Sequence, residues 1–299
     1  MGSGHFANFR PQIREYKIMS IKAKDIRNIA IIGHSGEGKT SVCEAILFNG
    51  GSTDRLGKVT EGNTVTDYDE QEIARKMSIS LSMAYTMWDG VKLNLLDVPG
   101  FYDFEGERNE ALRAAGGALI VTGATGTLSV GAEKAIDKCL KNKIPMVVFI
   151  NGVDKENADY AGTVAALKQK YAGKIAPIQI PLMEGNKMVG YVNALKETCY
   201  HFADEAKKQP VPIPEELKGT LAEMQASLTE TAAENDEALL DKYFEEGALT
   251  KEEIIHGIRK GIYNVTTIPV MAGSALQNRG IINLMDEIVK YMPSAEERR

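Results

Sequence analysis

The sequence predicts an α/β fold: a doubly wound, mostly parallel sheet with helices on both faces and an inserted α+β subdomain. Three observations predict it. Short apolar runs alternate with helical periodicity from Asn28 to Ile150 and again from Ile268 to Tyr291, the pattern of successive βαβ units. A glycine-rich turn, Gly33 to Thr40, joins the first apolar run to the first helical stretch. Finally, Ile150 and Ile268 lie 118 positions apart, whereas a crossover between neighbouring parallel strands takes about 30. Something is inserted there.

The elements follow in order. Residues 1–18 show no clear period and read as a leader or expression tag ahead of a second start at Met19. Asn28–Gly33 reads as a buried strand and Thr40–Asn49 as a helix, ended by Gly50 and Gly51. Residues 52–76 are polar and poorly periodic, which predicts a mobile loop. Ile79, Leu81, Met83 and Tyr85 then alternate with Ser80, Ser82, Ala84 and Thr86. With the Asp89-Gly90 turn and the run Val91–Leu96, this predicts an antiparallel hairpin whose first strand has one apolar and one polar face. Strands follow at Gly117–Val121, Pro145–Ile150 and Ile268–Met271, and helices at Glu133–Lys141 and Ile281–Tyr291. The expected core unit is thus 19–157 plus 264–299.

The insert, 158–263, carries strand-like segments at 176–182 and 188–195 and a linker with Pro210, Pro212 and Pro214. Two helical faces follow, one with Leu217, Leu221, Met224 and Leu228, the other with Ile254, Ile258 and Ile262. Thr250 and Glu253 form a capping-box pattern at the start of the second.

Composition narrows the function. A net charge of −6 argues against coating nucleic acid, so no direct nucleic-acid binding is expected. No apolar run approaches the ~18 residues of a membrane span, and the N-terminus lacks a secretory signal. Cys43, Cys139 and Cys199 are too few and scattered for a disulfide framework or a CxxC metal site, and His5, His34, His201 and His256 form no cluster. A cytoplasmic location is expected. Charge is uneven: Asp204 to His256 holds fourteen acidic side chains against five lysines. This surface is either simply solvated or docks a basic partner.

The chemistry lies in four short stretches. Gly33-His34-Ser35-Gly36-Glu37-Gly38-Lys39-Thr40 fits G-x-x-x-x-G-K-[ST] with a strand before and a helix after. Its glycines let successive N–H groups converge on phosphate oxygens, and the helix N-terminus adds positive potential. Lys39 would reach the terminal phosphates and Thr40 would bind Mg²⁺; Ser41 follows. Asp97-Val98-Pro99-Gly100, at a strand end, supplies a carboxylate for a magnesium-bound water and a glycine N–H for a terminal phosphate. Asn151-Gly152-Val153-Asp154 follows the run ending at Ile150. A carboxylate at Asp154 can accept from guanine N1–H and N2–H₂, a donor pair adenine lacks, and such polar matching selects strongly. In the common pattern N-K-x-D a lysine stem lies over the base; Gly152 stands in its place, predicting weaker binding with the same specificity. Gly273-Ser274-Ala275 offers backbone groups to the guanine oxygen.

These four elements in this order resemble a translational GTPase. "GHSGEGKTS", "EQEIARKMSI", "DVPGFYDF", "FINGVDKENADY", "PVMAGSALQNRGI" and "YMPS" look like the G domain of elongation factor G, and the insert resembles its G′ subdomain. The likeness covers the chain after Met19 and implies a P-loop GTPase sheet, GTP and GDP with Mg²⁺ as ligands, and the ribosome as partner, with the stalk protein docking on the acidic insert. Elongation factor G continues into further domains, so the chain reads as its isolated G domain. By this resemblance Ser78 takes the switch I threonine position and joins Thr40 and Asp97 at the metal, while Lys39 and Gly100 serve the reacting phosphate.

Three departures stand out. Lys76 occupies a usual glycine position. Gly36 replaces an aspartate that supports a monovalent ion. Phe101 replaces the histidine that positions the attacking water, and the chain looks closest to a subgroup with an aromatic residue there. Losing such a group typically costs ~10²–10⁴ in rate. Hydrolysis is expected to be slow or ribosome-dependent. The alternative is a guanine-nucleotide-responsive binding module that does not hydrolyse. A P-loop ATPase or kinase is disfavoured by Asp154.

Overall fold

The computed structural model describes residues 21–202 and 210–297. The expected leader, and residues 203–209 within the acidic stretch, lie outside them.

The first strand, β1 (Ile26–Gly33), runs into the glycine-rich turn and then α1 (Lys39–Asn49). A short helix, α2 (Glu70–Arg75), precedes the hairpin β2 (Ser82–Trp88) and β3 (Val91–Asp97). Then come α3 (Glu105–Ala114), β4 (Gly117–Gly123), α4 (Val130–Lys141), β5 (Met146–Asn151), α5 (Tyr160–Lys170) and β6 (Ile175–Pro177). A smaller unit follows: β7 (Gln179–Glu184), β8 (Lys187–Asn193), β9 (Thr198–His201), α6 (Lys218–Glu234), α7 (Glu237–Glu246) and α8 (Lys251–Tyr263). The chain returns through β10 (Ile268–Gly273) to α9 (Ile281–Tyr291).

The main sheet has seven strands in the order β2-β3-β1-β4-β5-β10-β6, and only β2 runs antiparallel to its neighbour. β10 lies beside β5, with Val270 opposite Val148, as the 118-residue interval requires. Strands buried on both faces must be apolar on both. In β1, Ile29 and Ile31 pack into the core with Val42, Ile46 and Leu284, while Ala30 and Ile32 enter the core with Leu112 and Ile136. Each fully buried Ile contributes roughly 1.5–3 kcal/mol.

Four features go beyond the sequence reading. The hairpin is present, and the polar face of β2 is the one that turns inward: Ser82 and Thr86 are buried while Met83, Tyr85 and Met87 are exposed. β2 crosses the end of α1, where the Thr86 hydroxyl accepts from Ser52 at 2.8 Å and its side chain lies tight against Gly50. Only small side chains fit there. Residues 52–76 contain α2 instead of being uniformly irregular, and two carboxylates organise them. Glu44 of α1 accepts from the Val65 N–H at 2.6 Å, and Glu72 accepts from the N–H groups of Asp69, Ile79 and Ser80. The stretch 176–182 is divided, its start pairing with β10 in the main sheet and its remainder with β8 in the small sheet. The helix α5 has no counterpart in the periodicity; Asp159 caps it by accepting from the Gly162 N–H.

Candidate functional site

The strand ends of β1, β3, β5 and β10 lie on one edge of the sheet, so the four sequence stretches converge there, as expected for the crevice of a doubly wound fold. His34 to Thr40 wrap the start of α1. Gly38 is left-handed at φ 89°, and a Cβ on it would fall 2.4 Å from Asn151 Nδ2, so only glycine fits. Ser35, Gly36, Gly38, Lys39, Thr40 and Ser41 line one cleft with Asp67, Ser78, Gly100 and Phe101. The Glu37 side chain turns away from that cleft. It accepts from the His34 N–H at 2.9 Å and from the Thr122 hydroxyl and Gly123 N–H at 3.3 Å, bracing the loop against β4.

Lys39 is buried and donates to the His34 carbonyl at 2.9 Å. Burial lowers its pKa, against the carboxylates of Asp97 and Glu37. Gly100 sits directly on the loop: a Cβ there would lie 2.6 Å from the Ser35 nitrogen and 2.3 Å from Lys39 Nζ.

Hard oxygen donors gather beside Thr40. Its hydroxyl is 3.1 Å from that of Ser78, which donates to Asp67 at 2.7 Å. Thr66 donates to Asp97 at 2.8 Å. Asp97 Oδ1 and Asp67 Oδ2 are buried without a hydrogen-bond partner. Burial pushes the Asp97 carboxyl up to about 6, against the Thr66 hydrogen bond and the Lys39 charge, and raises Asp67 as well. Two carboxylates and two hydroxyls with orphaned oxygens fit Mg²⁺, which takes few protein ligands and completes its shell with phosphate and water. No group of three or more His, Cys, Asp or Glu able to hold a metal occurs among the described residues.

Phe101 is 41% exposed and borders the same cleft with Val59 and Met77. Its ring offers no hydrogen bond to a water. The Tyr102 side chain lies outside the described residues.

The base-side residues converge as well. Asn151 Nδ2 donates to the Glu37 carbonyl at 2.9 Å, and its Oδ1 accepts from the Ala275 N–H at 3.0 Å. The Ser274 N–H donates to the Arg279 carbonyl at 3.0 Å, and the Gly152 N–H to the Gly273 carbonyl at 2.8 Å. Asn151, Ser274 and Ala275 are thereby engaged in holding the loops together. Asp154 is half-buried and borders a cleft with Gln277, Arg279 and the β7–β8 turn.

Sequence reasoning missed several residues here. Asp67 and Thr66 carry no local motif. Glu72 could have been found, since Asp69-x-x-Glu72 is a capping box, and both of its bonds are present. Arg108 of α3 is 3% exposed with Nε and Nη2 unpaired, and its charge depresses Lys39 further. Glu107 of α3 accepts from the Leu81 N–H at 2.7 Å, joining the segment after Gly100 to the segment carrying Ser78.

The similarity to known proteins agrees with this geometry. A crystal structure of a protein from Thermus thermophilus superposes with a TM-score of 0.84 at 30% identity, covering 91% of this chain and 41% of that one. The chain therefore spans less than half the length of that relative. The family model described as the elongation factor Tu GTP binding domain matches residues 24–294. That match spans most of the chain, and the chain belongs to the elongation factor Tu GTP-binding domain family.

Proposed function

We propose that this chain is the G domain of an elongation-factor-G-like translation factor, of the subgroup with an aromatic residue in place of the switch II histidine. It binds GTP and GDP with Mg²⁺ and hydrolyses GTP slowly, or only on the ribosome. Backbone amides from His34 to Ser41 hold the phosphates, and Lys39 neutralises the charge that develops on the terminal one. Thr40, Ser78 and Asp97, with Asp67, hold the metal, which when bound polarises the phosphate oxygens. Gly100 brings its N–H to the reacting phosphate. Asp154 reads the guanine edge, with Asn151 and the stretch Gly273, Ser274 and Ala275 shaping its pocket.

The single observation that carries this reading is the junction at Asn151, whose amide joins the phosphate loop to the base loop. These two hydrogen bonds support reading the phosphate loop and the base loop as parts of one nucleotide site. Phosphoryl transfer depends chiefly on positioning and charge neutralisation, which Lys39 and the metal would supply, so slow turnover in spite of Phe101 is part of the proposal.

The core, 19–157 with 264–299, is read as the G domain, and 158–263 as the G′-like insert. Its acidic helices α6, α7 and α8 would meet the ribosomal stalk protein. Action in the cytoplasm is part of this proposal, by the likeness to translation factors; among the described residues no helix is long and apolar enough to cross a membrane.

Phe101 motivates a second reading, a guanine-nucleotide-responsive binding module without meaningful hydrolysis. Single-turnover GTP hydrolysis with and without ribosomes, for the natural protein and for Phe101→His, separates the two. Ribosome-stimulated turnover by the natural protein supports the GTPase. Turnover seen only in Phe101→His supports the module.

A further inference from the structure

The missing lysine of the N-K-x-D pattern has a substitute. Gly152 is left-handed at φ 75°, and a Cβ built on it would lie 3.0 Å from Lys155 Cε, 3.3 Å from Cδ and 3.6 Å from Cγ. The space a side chain at position 152 would enter is therefore filled by the methylene stem of Lys155. Backbone bonding explains how it gets there. The Lys155 N–H donates to the Gly152 carbonyl at 3.2 Å, closing a turn over residues 152–155. That turn places Asp154 at its third position and brings the Lys155 side chain back over its first. The Gly152 N–H is fixed to the Gly273 carbonyl, and the Ala158 N–H donates to the Lys155 carbonyl at 3.0 Å, so both ends of the turn are pinned.

From this packing we infer that Lys155 covers the face of the bound guanine, replacing the stem that Gly152 cannot supply. This inference rests on guanine being read by Asp154. A purine whose edge meets Asp154 exposes its flat face beside residue 152. Its apolar rings need a cover, and a lysine stem can lie along them while its ammonium stays in water. Lys155 itself is exposed while Gly152 is buried, so the side of the stem away from Gly152 is open to a ring. Gly152 is then the residue that makes room for Lys155, and the specificity carboxylate and its cover come from one four-residue turn.

The contact is to the ring face, so it does not sense the 2-amino group, whereas Asp154 does. Calorimetry on this chain with GDP, inosine diphosphate and xanthosine diphosphate, in Mg²⁺, separates them. Lys155→Ala is expected to weaken GDP and inosine diphosphate by the same factor, about fivefold to tenfold. Lys155→Met, which keeps the stem and loses the charge, is expected to stay within about twofold of the natural protein. Asp154→Asn is expected to exchange GDP preference for xanthosine diphosphate. If Asp154→Asn behaves so but Lys155→Ala binds GDP normally, or Lys155→Met falls as far as Lys155→Ala, the assignment of the stem is overturned. If the natural protein binds no GDP, or Asp154→Asn gains nothing for xanthosine diphosphate, the guanine reading fails and this inference with it.

Discussion

Asn151 donates its side-chain amide to the Glu37 carbonyl across 2.9 Å, tying the end of β5 to the middle of the phosphate loop. Its other amide atom accepts from Ala275. One side chain thus ties the glycine-rich loop to the Gly273–Ala275 stretch. Asn151→Ala is expected to cost about 1–3 kcal/mol of stability, since it leaves a backbone carbonyl and an N–H without their partner. GDP affinity should fall at the same time. Urea denaturation and calorimetry on one preparation check both, and a stable variant with normal GDP binding would show that the junction is dispensable.

Asp97 gives a pH dependence of defined sign. Its carboxyl is raised from 3.8 to about 6 in the folded protein by burial. The folded state therefore holds a proton that the unfolded state has already released between those values. Stability of the metal-free protein should fall as pH rises through about 4 to 6, with the full cost present above. Asp97→Asn, which keeps an acceptor for Thr66, is expected to match the natural protein near pH 4. At pH 7 without metal it should exceed it by up to roughly 3 kcal/mol. Denaturation at the two pH values in chelator checks this.

Lys76 ends α2 in the left-handed conformation, φ 54°. A residue with a Cβ pays about 1 kcal/mol there, and glycine does not. Lys76→Gly should raise the melting temperature by about 2 °C, which a thermal scan resolves. An unchanged or lower value would show that the Lys76 side chain offsets the strain.

Glu72 holds three N–H groups with one carboxylate, those of Asp69, Ile79 and Ser80. Glu72→Ala should release the segment that presents Ser78. Faster amide hydrogen exchange at Ile79 and Ser80, with the β1 amides unchanged, is the expected result. Weaker Mg²⁺ dependence of GTP binding should accompany it.

The sheet was legible in the sequence because β1, β4, β5 and β10 are buried on both faces and read as short apolar runs. The four site stretches were legible because each needs particular residues at fixed spacing beside a strand end. What escaped the sequence depends on partners distant along the chain. Strand β2 shows a perfect alternation, yet which face turns inward is decided by Gly50 and Thr86 meeting across the end of α1. The buried carboxylate Asp67 is defined by its reach to Ser78, eleven residues away. Lys155 gains meaning only once Gly152 is seen to be left-handed beneath its stem.

On the proposed reading, the loop at Gly33–Thr40 and the carboxylate of Asp154 together hold a guanine nucleotide. Isothermal calorimetry of this chain with GDP and with ADP, in Mg²⁺, puts that to the test. GDP is expected to bind with a dissociation constant on the order of micromolar and ADP at least about a hundredfold more weakly. Equal binding of the two, or no heat from either, would contradict it.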